Sequence, residues 1–265
     1  MGFVLDQKAD QGDESRYAGE AGREFLNLRK AMILRLLSPR RGQRLLDVHC
    51  GAGFYLQAFK REGLDVTGLE PSPDPLERAR ARLGDGVPLF TGQAEDLPFE
   101  DNEFDFVTLI HCLEYTKDPD QALAEAIRVA WKGVFVGVLN GLSLSGVGCR
   151  FRSLLSGRPE PHRRHFNLWD LTWLLRRQAG PKKIRWATVG MLPPSLSAKA
   201  AFLEGRPLFQ QSPFGSFLGV AVDLNYTLRT DNLTVKTKFS LGNKHAPSPT
   251  PTSYGPFRRN GPGGQ

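Results

Sequence analysis

A doubly wound α/β fold, with a mostly parallel seven-stranded sheet and helices on both faces, is the architecture this sequence predicts. Three observations predict it. Short apolar runs bounded by Gly, Pro or polar turns recur seven times, segments of helical periodicity separate most of them, and the first run closes in a Gly-rich turn that opens a helix. Strands alternating with helices imply a parallel sheet with right-handed crossovers. At 265 residues and 29.4 kDa the chain can bury a substantial core without disulfide or metal staples.

The elements follow in order. Residues 1–22 are polar and read as a flexible lead-in, after which FLNLRKAMILRLL carries apolar positions at helical spacing until SPRRG breaks it. RLLDV is the first strand, HCGAGF the tight turn, and YLQAFKREG the helix, with Gly63 suited to a left-handed cap. LDVTGLE is the second strand, and SPDPLERARARLG is a helix with Ser72 or Asp74 as cap and prolines near its first turn. VPLFTG and FDFVTLIH continue the sheet, and DPDQALAEAIRVAW is a helix ending before the strand GVFVGVL. NLWDLTWLLRRQAG then reads as a helix capped by Asn167, with Asp170 three positions on and Gly180 as terminator; its Trp and Leu positions are expected in the core. IRWATV and SFLGVAVDL are the last strands, with a short helix around KAAFLEG between them. The main domain is thus placed at 23–240, and 241–265 is a Pro/Gly-rich tail too poor in apolar residues to bury a core.

Charge divides the chain. Residues 1–140 hold 17 basic and 23 acidic side chains, whereas 141–265 hold 18 basic and 5 acidic ones. The later part is either a solvated basic surface with a basic tail or a patch for an anionic partner. Cys50, Cys112 and Cys149 are too few and scattered for a secreted disulfide framework. The start MGFVLDQKADQGDES lacks the features of a signal peptide, and Asp6 occupies the position where a myristoylation signal places Ser or Thr. No apolar run is long enough to span a bilayer. A cytoplasmic chain is expected, with peripheral membrane contact left open.

The informative unit is the series LLDVHCGAG, VTGLEPS and GQAEDLPFEDNEFDFV within one βαβ progression. Gly51 and Gly53 permit close backbone approach at a strand-to-helix turn, where amides and a helix N-terminus meet a polar ligand. Glu70 ends the second strand, 19 residues after Gly51, where a carboxylate can accept two ribose hydroxyls. That geometry alone also suits a nicotinamide cofactor, but Phe54, Tyr55 and Leu56 follow where the dinucleotide fingerprint needs a third glycine.

On these residues the sequence resembles the type 11 class I methyltransferases, the group that includes the quinone-biosynthesis C-methyltransferases. The resemblance runs from about Arg44 to Asn140, with weaker echoes to about Leu224. The family's motif Asp-x-Gly-Cys-Gly-x-Gly is met by Asp47, Cys50, Gly51 and Gly53, with His49 where the first glycine is expected. The resemblance implies the Rossmann-like methyltransferase fold and S-adenosylmethionine as cofactor. It makes the loop the site for the methionine part, Glu70 and the adjoining Pro71 the ribose site, and Ala94 and Glu95 the adenine position. FDFVTLIHCLEY matches the strand that borders the reactive sulfonium.

His49 is a tolerated structural substitution, a contact to cofactor or substrate, or an impairment of binding. The pairs His49-Cys50 and His111-Cys112 end two strands that the family places side by side, but alternate strand residues face opposite ways, so no metal site is expected. His111 and Tyr115 are the candidates for orienting an acceptor or removing a proton, with His111 also a cofactor neighbour. Asp101, Glu103 and Asp105 form an acidic turn expected to be solvated. In CRFRSLLSGRPEPHRRHF, the residues Arg150, Arg163 and Arg164 head a basic group suited to an acceptor's carboxylate or phosphate. The expected activity is methyl transfer to a small-molecule or lipid-like, anionic acceptor. The alternatives are a non-catalytic cofactor-binding or scaffold protein of the same fold, or an RNA or protein methyltransferase. Nucleic acid is disfavoured because the Asn-Pro-Pro-aromatic signature is missing.

Overall fold

In the computed structural model of the chain, residues 19–143, 164–191 and 207–224 are described. The helix expected around KAAFLEG and the tail at 241–265 lie outside them, as do Arg150 and Arg163. The first helix, α1, runs Glu20–Leu37, and β1 (Arg44–Val48) and α2 (Phe54–Arg61) follow it. Next come β2 (Asp65–Leu69), α3 (Pro73–Leu83), the two-residue β3 (Leu89–Phe90) and β4 (Phe104–Ile110). The last elements are α4 (Pro119–Val129), β5 (Ala130–Leu139), α5 (Leu168–Ala179), β6 (Ile184–Val189), α6 (Pro207–Gln210) and β7 (Phe217–Asp223).

The seven strands form one sheet in the order β3-β2-β1-β4-β5-β7-β6. The first five pair in parallel, while β7 runs antiparallel to both β5 and β6. The strand order reverses beside β1, so β1 and β4 flank the crevice where such sheets bind ligands, beyond the carboxyl ends of their strands.

Two apolar layers hold the sheet. Leu46, Val48, Val107, Leu109, Val136, Val138, Leu218 and Val220 face α4 and α5, which contribute Ala122, Leu123, Ala126, Leu171 and Leu175. Leu45, Phe106, Ile110, Phe135, Phe217 and Ala221 face the other way, against Met32, Ile33 and Leu36 of α1 and Leu56 and Phe59 of α2. Alternation along β7 feeds both layers.

Local chemistry sets most boundaries. Asp118 accepts hydrogen bonds from the Asp120 and Gln121 amides at the start of α4, and Pro119 follows it. Asn167 and Asp170 form a reciprocal capping box on α5. Ser72 occupies the cap position of α3, but its side chain makes no capping bond. Three expectations need correction. The run VPLFTG supplies only Leu89 and Phe90 to the sheet. The helix α4 ends at Val129, and β5 starts at once with Ala130 and Trp131. On α5 the buried face is Leu171, Leu174 and Leu175, while Trp169 and Trp173 point outward at 64% and 60% exposure. Among the described residues, no helix is long and apolar enough to cross a membrane.

Candidate functional site

The turn after β1 is built from left-handed backbone. His49, Gly51 and Gly53 have φ of 68°, 52° and 78°. Gly53 has a second requirement, because a Cβ there would lie 3.0 Å from Leu83 and 3.2 Å from Ala79 of α3. His49 therefore occupies a glycine-favouring conformation, which explains why a glycine suits this position, and histidine is among the side chains that enter the left-handed region more readily.

Two carboxylates converge under this turn. Glu70 is 2% exposed at the end of β2; its Oε2 accepts from the Gly51 amide at 2.9 Å and its Oε1 from the Ser72 amide at 3.1 Å. His49 Nδ1 lies 3.6 Å from Glu70 Oε2. Asp47, equally buried near the end of β1, accepts a 2.7 Å hydrogen bond from the Thr108 hydroxyl of β4. Burial pushes the Asp47 carboxyl up to about 7, the Thr108 hydrogen bond opposes this, and the negative field of Glu70 adds to the rise. Two buried carboxylates beside the turn, Glu70 fixed by two amides and Asp47 by a hydroxyl, suit a ligand with both cationic and hydroxyl groups.

Beyond the crevice, His49 and Tyr115 face each other at 16° with ring centroids 6.3 Å apart, so the ends of β1 and β4 meet through these rings. His111 turns elsewhere. Its φ is 56°, its Nδ1 lies 3.1 Å from Glu114 Oε1, and its Nε2 lies 3.0 Å from Arg29 Nη1 of α1. A guanidinium only donates, so Nε2 accepts and Nδ1–H donates to Glu114. The lone pair a general base would use is thus directed at Arg29. Burial alone would raise Glu114, but the His111 hydrogen bond, helped by the Leu139 amide, holds it below the usual carboxylate range. Arg29 is 5% exposed, lies 4.2 Å from the ring centroids of both Phe25 and Phe217, and approaches the Tyr55 hydroxyl at 3.4 Å.

The remaining expected residues scatter. Cys50 packs in the layer of α1 and α2 and Cys112 in the layer of α4 and α5, so the two thiols lie on opposite faces of the sheet. Burial raises both. Among the described residues no three His, Cys, Asp or Glu side chains converge as metal ligands. Pro71 is half-buried beside Glu70, Ala94 is buried, and Glu95 accepts from the Lys117 amide at 2.8 Å at the approach to α4. Arg164 is exposed; its amide donates to the Glu114 carbonyl and its guanidinium to the Lys117 carbonyl at 2.9 Å. Asp101, Glu103 and Asp105 are not merely solvated, because they pair with Arg128, Arg44 and Lys132 at 2.9, 3.1 and 2.6 Å. Sequence reasoning missed Arg29, Thr108 and Glu114. Only Glu114 left a signal, three positions after His111 in HCLE.

Residues 46–136 match the family model described as Methyltransferase domain. Demethylmenaquinone methyltransferase of Renibacterium salmoninarum is 40% identical over 92 residues, covering 35% of this chain and 38% of that protein. The chain spans less than half the length of the curated relatives it matches. A solved S-adenosylmethionine-dependent methyltransferase from Thermotoga maritima superposes with a TM-score of 0.57 at 23% identity, over 81% of this chain and 99% of that one. Phosphoethanolamine N-methyltransferase 2 of Haemonchus contortus, solved with S-adenosylmethionine, gives a TM-score of 0.58 at 19% identity, over 83% of this chain and 58% of that one. The order of the sheet, the glycine turn and these likenesses agree: the chain has the Rossmann-like methyltransferase fold, and its residues 46–136 match a methyltransferase domain.

Proposed function

We propose that the chain binds S-adenosylmethionine beyond the carboxyl ends of β1, β2 and β4 and transfers its methyl group to a small-molecule or lipid-like, anionic acceptor. The observation that carries this reading is the buried Glu70 carboxylate 2.9 Å from the Gly51 amide, which joins the end of β2 to the left-handed turn after β1. In this reading Glu70, with Pro71 beside it, takes the ribose hydroxyls. The turn of His49, Cys50, Gly51 and Gly53, whose amides are held by the Leu69 and Cys50 carbonyls and by Glu70, borders the methionine part, Asp47 offsets its positive charge, and Ala94 and Glu95 border the adenine. The relatives' names support the acceptor class, since the Renibacterium protein is a demethylmenaquinone methyltransferase.

The reaction is an in-line displacement. The acceptor atom attacks the methyl carbon, the carbon–sulfur bond breaks, and its electron pair stays on sulfur, leaving S-adenosylhomocysteine. The sulfonium supplies the reactivity, and the protein holds nucleophile and methyl in line at roughly 3 to 3.5 Å. Tyr115, facing His49 at the mouth of the crevice, is the better placed of the two candidates to orient an acceptor. His111, held between Glu114 and Arg29, orders the wall behind it. Arg164, with Arg150 and Arg163, would meet the acceptor's negative group.

Isothermal calorimetry with S-adenosylmethionine and S-adenosylhomocysteine tests the binding, and profiling of metabolites with a labelled methyl donor tests the transfer. Binding without transfer across a broad acceptor panel would favour a cofactor-binding scaffold; absence of binding would defeat the reading.

A further inference from the structure

Trp169 and Trp173 stand four residues apart on α5, 64% and 60% exposed, on the face opposite Leu171, Leu174 and Leu175. They border a shallow groove completed by Phe166, Asp170 and Leu174. The far end of the same helix, at Gln178 and Ala179, lines a second groove with Trp131, which is 56% exposed, Ile127, Ala130 and Lys182. Three of the chain's four tryptophans are therefore more than half exposed along one helix and its end. Tryptophan is among the most buried side chains on average, so this outward placement calls for a contact.

The charge around the rings decides which contact. Residues 164–191 carry six Lys or Arg and one acidic residue, Asp170. That carboxylate serves the α5 capping box. Arg176 and Arg177 are exposed in the last turn; the Arg177 guanidinium lies 4.8 Å from the centroid of the Trp173 ring and also pairs with Asp120 at the start of α4. Indoles between an apolar groove and arginines reproduce the layering of a bilayer interface, where amphipathic rings settle at headgroup depth and cations meet anionic lipid. The face also begins at the ligand end of the sheet, since Phe166 bridges to Asn140 just after β5.

We propose that the outer face of α5, through Trp169 and Trp173 with Arg176 and Arg177, docks the chain on an anionic lipid bilayer. Docking requires no particular acceptor, and it stands or falls separately from cofactor binding.

The test uses the full chain with vesicles of phosphatidylcholine alone or with about a third phosphatidylglycerol, read by co-sedimentation and tryptophan emission. The native chain should bind the anionic vesicles at least about tenfold more tightly than the neutral ones, with a blue-shifted emission, and added salt should weaken the binding. The double variant Trp169→Ala, Trp173→Ala should lose about tenfold or more in vesicle affinity while keeping its calorimetric affinity for S-adenosylmethionine. Should that variant melt early, Arg176→Glu serves in its place and should also weaken anionic binding several-fold. No binding by the native chain, equal binding to both vesicles, or an unchanged affinity in the variants would overturn the proposal. So would a lipid-free self-association, seen by sedimentation equilibrium, that the double variant abolishes, because the face would then belong to a second copy of the chain.

Discussion

A proton sits on Asp47 at low pH and leaves near neutrality, because burial makes its charged form expensive in the folded chain. In the unfolded chain the group titrates at 3.8, and in the folded one at about 7. The folded state therefore binds the extra proton between these values, so the stabilising contribution is full below the unfolded pKa and is lost as pH rises toward 7. Asp47→Asn keeps an acceptor for Thr108 and should remove this slope, raising stability at pH 8 by a few kcal/mol; equal melting slopes for variant and native chain would sink the account. Glu70→Ala should weaken S-adenosylmethionine binding by about 1.5 to 3 kcal/mol in calorimetry, with Glu70→Gln intermediate because it retains one acceptor oxygen. His49→Gly relieves a side chain from left-handed backbone and should keep cofactor affinity while changing stability by no more than about 1 kcal/mol. A severe loss of affinity would instead make the imidazole an essential contact.

At the scale of elements, helix starts were legible wherever the chain writes its own cap. Asp118 with Pro119, and Asn167 with Asp170, carry that information locally. Asn167→Ala should cost about 1 kcal/mol of stability by chemical denaturation, with the rest of α5 retained. The end of α4 was not legible, because Ala130 and Trp131 fit a helix by propensity, and the strand starts there only because Ala130 pairs with Phe104 of β4 ahead of an irregularity that carries Trp131. The outward tryptophans of α5 misled for a related reason: periodicity finds a face of a helix, but a neighbour decides which face is covered. Arg128 shows how far apart in sequence such neighbours lie. It donates to the Phe99 and Leu97 carbonyls and to Asp101 and Glu125, locking α4 to the turn before β4. Arg128→Met should destabilise the fold by about 2 kcal/mol, chiefly from carbonyls and carboxylates left without their donor; a melting point within error of the native one would reduce the network to surface decoration.

For the whole molecule, the cofactor half of the candidate site was legible and the acceptor half was not. Asp47, Gly51, Gly53 and Glu70 lie within one βαβ unit, so spacing alone brings them together. Arg29 reaches His111 across 82 positions, and no local pattern announces a contact that depends on α1 packing against β7. A ligand held by three strands and two turns should stabilise the entire fold, so saturating S-adenosylmethionine at a hundred times its dissociation constant should add about 2.7 kcal/mol. Scanning calorimetry reads this directly, and an unchanged melting point under saturation would deny the site.

The antiparallel β7 lies between β5 and β6 although it follows both in the chain, and it supplies Phe217 and Ala221 to one layer and Leu218, Val220 and Val222 to the other. During synthesis, β5 therefore waits as an open edge, with its amides and carbonyls unpaired on one side, until the chain from Asn140 through Phe217 has been made. A chain ending before Phe217 leaves that edge open, although the helices that cover the two faces of the sheet are already present. The sheet therefore completes late, when β7 enters the gap between β5 and β6.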